Sequence, residues 1–75
     1  MKEVLHLTAI IRGDGDGFVS LCPELDIASQ GDTVEDARSN LIEALEGFLA
    51  VADPSEIEDR LQTEMLITQL EIPVG

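Results

Sequence analysis

Few side chains in this sequence are equipped for covalent or acid–base chemistry. His6 and Cys22 are the single histidine and the single cysteine. As a pair they would work by nucleophilic attack, the imidazole taking the thiol proton and the thiolate adding to an electrophile. Nothing in their surroundings supplies the helix N-terminus or cationic cluster that lowers a thiol pKa. Cys22 therefore reads as a small packed residue and His6 as a strand residue on a mixed sheet face. Two soft ligands also fall short of a four-ligand zinc site. The carboxylates Asp14 and Asp16, two apart in the glycine-rich stretch 13–17, with Glu24 and Asp26 beyond, are the grouping that would suit Mg²⁺ or Ca²⁺. A calcium loop of the EF-hand kind needs acids where Phe18 and Leu25 stand. Ser20 and Ser29 lie outside any nucleophile-elbow context, and the glycines of 13–17 have neither nucleotide-binding spacing nor a following lysine. Asp32, Glu35 and Asp36 would repel phosphate from the helix start near Thr33. No catalytic, cofactor-binding or metal-binding residue is expected, and the chain reads as a binding module rather than an enzyme.

The charge balance narrows the partners. Sixteen acids face four bases, a net charge of −12. A nucleic-acid phosphate backbone or an anionic membrane surface attracts lysine and arginine clusters, which are missing here, so neither is an expected partner. A basic protein partner is favoured electrostatically. Hydrophobic residues make up 44% of the chain, enough for a core, yet no apolar run reaches the ~18 residues that cross a bilayer. The start, MKEVLHLTAII, is interrupted by Glu3 and His6 and has no small-residue cleavage site, so no signal peptide is expected. With a lone cysteine, this points to the cytoplasm. Seventy-five residues make one domain, 1–75, whose small core calls for outside support. Self-association, as a dimer or larger, is the expected source.

The elements that must position these residues follow from periodicity and turn signals. Residues 4–12 hold Val, Ile, Thr and Leu without a breaker and predict a first strand. Leu5, Leu7, Ala9 and Ile11 form its core face, and Val4, His6, Thr8 and Ile10 a mixed one. The glycine-rich 13–17 turns the chain into a second strand, Phe18 to Cys22, which Pro23 stops because it lacks an N–H. A short third strand is predicted near Asp26 to Gln30. Thr33 is an N-cap with Asp36 at the reciprocal capping-box position. It leads a helix from Val34 to about Ala52 whose apolar stripe runs through Val34, Ala37, Leu41, Leu45, Phe48 and Ala52. Asp53-Pro54 ends it. The pattern Ser55 to Glu58 predicts a second, short helix over about Glu56 to Leu61. Met65 to Ile72, MLITQLEI, predicts a final strand. The expected architecture is α+β and two-layered, β-β-β-α-(short α)-β, with the long helix on one sheet face and the other face open.

The stretch GFVSLCPELDIASQGDTVEDA, continued by RSNLIEALEGFL, resembles the HicB-like antitoxin domain. Gly17-Phe18, Pro23-Glu24-Leu25, Gln30-Gly31-Asp32-Thr33 and Glu43-Ala44 stand where that family has its Gly-aromatic strand, Pro-x-Leu turn, Gly-Asp-Thr helix lead and Glu-Ala helix. The likeness covers nearly all of residues 4–72. It implies a degraded ribonuclease H-like fold and a partner that is a small, basic, mRNA-cleaving toxin of the HicA type, neutralised by direct binding. Full antitoxins of this kind add a C-terminal DNA-binding domain. Here the sequence ends at Gly75 after the predicted last strand, so operator binding by this chain is not expected.

The candidate interface is the uncovered sheet face, with Val4, His6, Ile10, Met65 and Ile67 as its residues, because apolar groups on a mixed face otherwise meet water. Two other readings stand beside this one. One is a metal-dependent nuclease or hydrolase remnant using Asp14, Asp16, Glu24 or Asp26. The other is a purely structural oligomeric subunit.

Overall fold

A computed structural model describes residues 4–62 and 65–75. Its sheet has three antiparallel strands, β1 (Ile10–Asp14), β2 (Gly17–Cys22) and β3 (Ile27–Gly31), in that spatial order. Two helices follow, α1 (Val34–Val51) and α2 (Pro54–Gln62). The chain is α+β, with α1 packed across β3 and β2 and only grazing β1.

The glycine-rich 13–17 is mostly strand. Asp14 pairs with Gly17, leaving Gly15 and Asp16 as a two-residue turn. Gly15 has φ +63° and Asp16 is not left-handed, the pattern of a II′ hairpin turn, which needs glycine at its first central position. The first strand is correspondingly displaced from the expected 4–12. Ile10 pairs with Leu21 and the ladder goes no further back. Continuing that register would set Thr8 opposite Pro23, which has no N–H to offer. The Thr8 N–H is instead taken by the Glu24 carboxylate, at 3.0 and 2.9 Å, and the Thr8 hydroxyl donates to Oε2 at 2.6 Å. A side chain thus substitutes for the ladder where β2 ends.

The core gathers Cys22, Leu25, Leu41 and Leu45, with Leu7, Ile27, Phe48, Leu49 and Leu61 packed against it. Leu25 lies in the β2–β3 connection but is fully buried. Asp26 beside it takes a left-handed φ of 54°, which aspartate tolerates better than most residues. Ser20, also fully buried, donates its hydroxyl to the Ala37 carbonyl at 2.8 Å and ties β2 to α1.

At the start of α1, the Thr33 hydroxyl accepts from the Asp36 N–H at 3.0 Å. The predicted return bond from the Asp36 carboxylate is not made, since aspartate is one methylene shorter than the residues that suit it. Ala37, Leu41 and Leu45 are buried as the stripe predicts, whereas Val34 is exposed. The second helix begins two residues earlier than Ser55–Glu58 suggests. Asp53 caps it, its Oδ1 accepting from the Ser55 N–H and hydroxyl at 3.0 and 2.9 Å, and Pro54 occupies the first helical position, where no N–H is needed. Arg60 latches α2 to the body: Nη1 donates to the Leu25 carbonyl at 2.7 Å and the guanidinium sits 5.1 Å from the Phe48 ring centroid.

The predicted last strand is not formed. Residues 65–75 carry no regular secondary structure and are exposed throughout. A strand exists only where its N–H and C=O groups find an edge, and among the described residues this segment pairs with neither edge of the sheet.

Candidate functional site

Strand alternation sorts the sheet residues between two faces. Ser20 points at α1, as its bond to Ala37 requires, so the residues flanking it point away. The register then sets Ile10 beside Leu21 and Arg12 beside Val19, and on the other side Leu21 beside Ala28 and Val19 beside Gln30. Among the described residues no helix covers this face. Ile10, Arg12, Val19, Leu21 and Ala28 line a shallow depression of about 350 Å³ on it, and Ile10 is 43% exposed. An antiparallel sheet with one wet face normally turns polar residues to the water. Here the centre of that face is aliphatic. Exposed acids stand at either end, Asp14 closing β1 and Asp16 in the turn after it at one, and Asp26 in the β2–β3 connection at the other.

The five interface candidates are dispersed by the structure. Ile10 alone belongs to the uncovered sheet face. Val4 and His6 precede β1, in the stretch that Pro23 deprives of a ladder partner, and both are exposed. Met65 and Ile67 are exposed on the segment that forms no strand. Val19, Leu21 and Ala28 escaped the sequence reading as interface residues. The signal lay in the Gly15-Asp16 turn, whose two-residue length fixes which residues of the hairpin share a face.

The groups weighed for chemistry are kept apart. Cys22 is fully buried, and its Sγ donates to Glu24 Oε1 at 3.5 Å. Burial pushes the thiol pKa up, and the Glu24 carboxylate adds to this. A buried, protonated thiol is a poor nucleophile, and His6 lies exposed, four residues before the strand that pairs with β2. Burial also tends to raise Glu24, but the bonds from the Thr8 hydroxyl and N–H, its own N–H and the Cys22 thiol outweigh it and hold the carboxyl below its ordinary value. Asp14 and Asp16 are separated from Glu24 and Asp26 by the length of β2, roughly 20 Å for six residues. Among the described residues, no group of three or more His, Cys, Asp or Glu side chains is placed to hold a metal ion, and no helix is long and apolar enough to cross a membrane. Ser20 is spent on the Ala37 carbonyl.

Comparison with known proteins returns no matching family model, no matching curated protein and no matching solved structure.

Proposed function

We propose that this chain is an acidic protein-binding module of the cytoplasm that self-associates and captures a basic protein through its uncovered sheet face. The observation that carries the reading is the aliphatic centre of that face, Ile10, Val19, Leu21 and Ala28, left open in a fold whose other sheet face is covered by α1. Ile10 and Ala28 are exposed and Val19 and Leu21 half-buried, and apolar surface left open in this way marks interaction sites. The ends of the face are acidic and the chain carries −12, so a basic partner is drawn in and a nucleic acid repelled. The resemblance to HicB-like antitoxins supplies the partner class: a small basic mRNA-cleaving toxin of the HicA type, silenced when its active surface is covered. The module itself needs no catalytic group for this, only shape, apolar contact and charge.

The test is co-expression. Cells producing such a toxin, encoded beside this gene, grow when this chain is co-produced and stop growing when Leu21→Asp or Val19→Asp is introduced. Failure of the wild-type chain to rescue growth against its matched toxin contradicts the reading.

A further inference from the structure

A groove opens between α1 and residues 5–9, the stretch that leads into β1. Because α1 packs chiefly on β3 and β2 and barely on β1, the sheet is left partly uncovered at its β1 side, and among the described residues no strand pairs with the outer edge of β1. Leu5 and Leu7 form one wall of the groove and Ile42, Leu45 and Leu49 the other, enclosing about 350 Å³. Leu7 and Leu45 continue inward to the core, Leu5 and Ile42 remain exposed, and Arg38 and Glu46 also line the groove.

The same chain carries a segment with the matching shape. Residues 65–72 alternate so that Leu66, Leu70 and Ile72 share one side with Thr68, and they are 86%, 79% and 68% exposed. Eight extended residues reach roughly 26 Å, enough to run the length of β1. The segment stands off the body. The chain measures 51 × 29 × 20 Å, with a radius of gyration of 14.7 Å against about 11 Å for a compact domain of this length.

We infer that residues 65–72 of one copy add in extended form along residues 5–9 and the adjoining outer edge of β1 in a second copy, with Leu66, Leu70 and Ile72 in that copy's groove. The inference rests on the reading of the chain as a self-associating module and names the contact that does it. Each copy presents one empty groove and one unpaired segment, so a reciprocal exchange satisfies both and closes as a twofold dimer. Two residues of sequence lie between the end of α2 and the segment, and so short a connection favours exchange over folding back on the same chain. Exchange also removes the free edge of β1, a hazard in any open sheet.

Sedimentation of the full chain at micromolar concentration tests this. The expected mass is twice 8.1 kDa. The triple variant Leu66→Ser, Leu70→Ser, Ile72→Ser sediments as the monomer with the circular dichroism of the folded body, and so does Ile42→Glu, which blocks the groove at an exposed position. Mixing these two variants restores a dimer, because one intact groove meets one intact segment. Under oxidation, Ile42→Cys mixed with Leu70→Cys gives a disulfide-linked heterodimer, the buried Cys22 staying out of the reaction. A wild-type monomer at every concentration overturns both the exchange and the self-association reading. A dimer that survives the triple variant and Ile42→Glu overturns the exchange alone. An internal disulfide in the Ile42→Cys, Leu70→Cys double variant at high dilution, with no linked dimer, also overturns it, since the segment then closes on its own groove.

Discussion

Replacing Gly31 with alanine puts a methyl group where strand and helix meet. A Cβ at Gly31 falls 2.4 Å from the Ala37 nitrogen and 2.7 Å from both the carbonyl carbon and the Cβ of Asp36. The first two are backbone atoms, and the helix end they belong to is fixed by the Thr33 cap and by the Ser20–Ala37 bond. To reach ordinary contact, β3 and the first turn of α1 must separate by about 1 Å, an overpacking worth about 1–3 kcal/mol. The same movement loosens the Ser20 bond and the bond from Asn40 Nδ2 to the Gln30 carbonyl, both 2.8 Å, each worth about 1 kcal/mol. The total is about 3–5 kcal/mol, against about 4–11 kcal/mol of stability for a domain of 75 residues. Gly47 is the internal control. It is exposed in the middle of α1 with nothing within 4 Å of a built Cβ, so alanine there gains about 1 kcal/mol from helix propensity alone. One methyl group thus has opposite signs at two glycines. Urea and thermal unfolding at equal protein concentration read both: Gly31→Ala lowers the melting temperature by at least about 12 °C, and Gly47→Ala raises it by about 4–8 °C. A Gly31→Ala protein as stable as the wild type would refute the close approach of β3 to α1.

Glu24 gives the chain an acid-sensitive contact. Its carboxyl lies below the ordinary 4.5 when folded, so its stabilisation is fully present above that value and is lost as the pH falls through the folded pKa. Glu24→Gln flattens this limb of a stability–pH curve without abolishing it, because Asp53 is held down in the same direction by the Ser55 N–H and hydroxyl. A curve unchanged by Glu24→Gln counts against the Thr8 contact. Ser20→Ala loses one buried bond and costs about 1 kcal/mol in urea unfolding. Arg60→Ala costs about 1–2 kcal/mol by removing both the Leu25 bond and the Phe48 contact, whereas Glu56→Ala, which breaks only an exposed ion pair of 3.2 Å, changes stability by less than about 0.5 kcal/mol. Cys22 reacts with a thiol reagent only as fast as the native state opens, and at full speed in denaturant; rapid labelling of the native protein contradicts its burial.

Local signals carried most of the fold. Thr33 and the stripe Ala37, Leu41, Leu45, Phe48 set α1 nearly to the residue, since caps and helical periodicity are properties of neighbours in sequence. Residues 4–9 misled because strand propensity says nothing about whether a partner strand continues alongside. Pro23 held that information, in a different part of the chain. The same holds for 65–72, whose pattern is that of a strand although, among the described residues, it pairs with no edge of the sheet. Leu25 was legible in principle as the single large apolar residue between Pro23 and Asp26, but a turn position argues for exposure until the register shows the turn folding over the core. The uncovered face was half legible. Ile10 was found from alternation in one strand, while Val19, Leu21 and Ala28 needed the pairing of three. Exposed apolar side chains are numerous for so small a core, and six of the large ones, Met65, Leu66, Ile67, Leu70, Ile72 and Val74, lie beyond α2. Burying Leu66, Leu70 and Ile72 alone would contribute about 4–8 kcal/mol, comparable to the stability of the whole domain.

The central claim is that the uncovered sheet face captures a basic partner. Amide chemical shifts of the isotope-labelled chain, followed while the matched HicA-type toxin is added at low and then raised ionic strength, test it most directly. The account predicts shifts centred on Ile10, Val19, Leu21 and Ala28 and an affinity that weakens as salt screens the −12 charge. Shifts confined to the outer side of α1, or none at equimolar toxin, would contradict it.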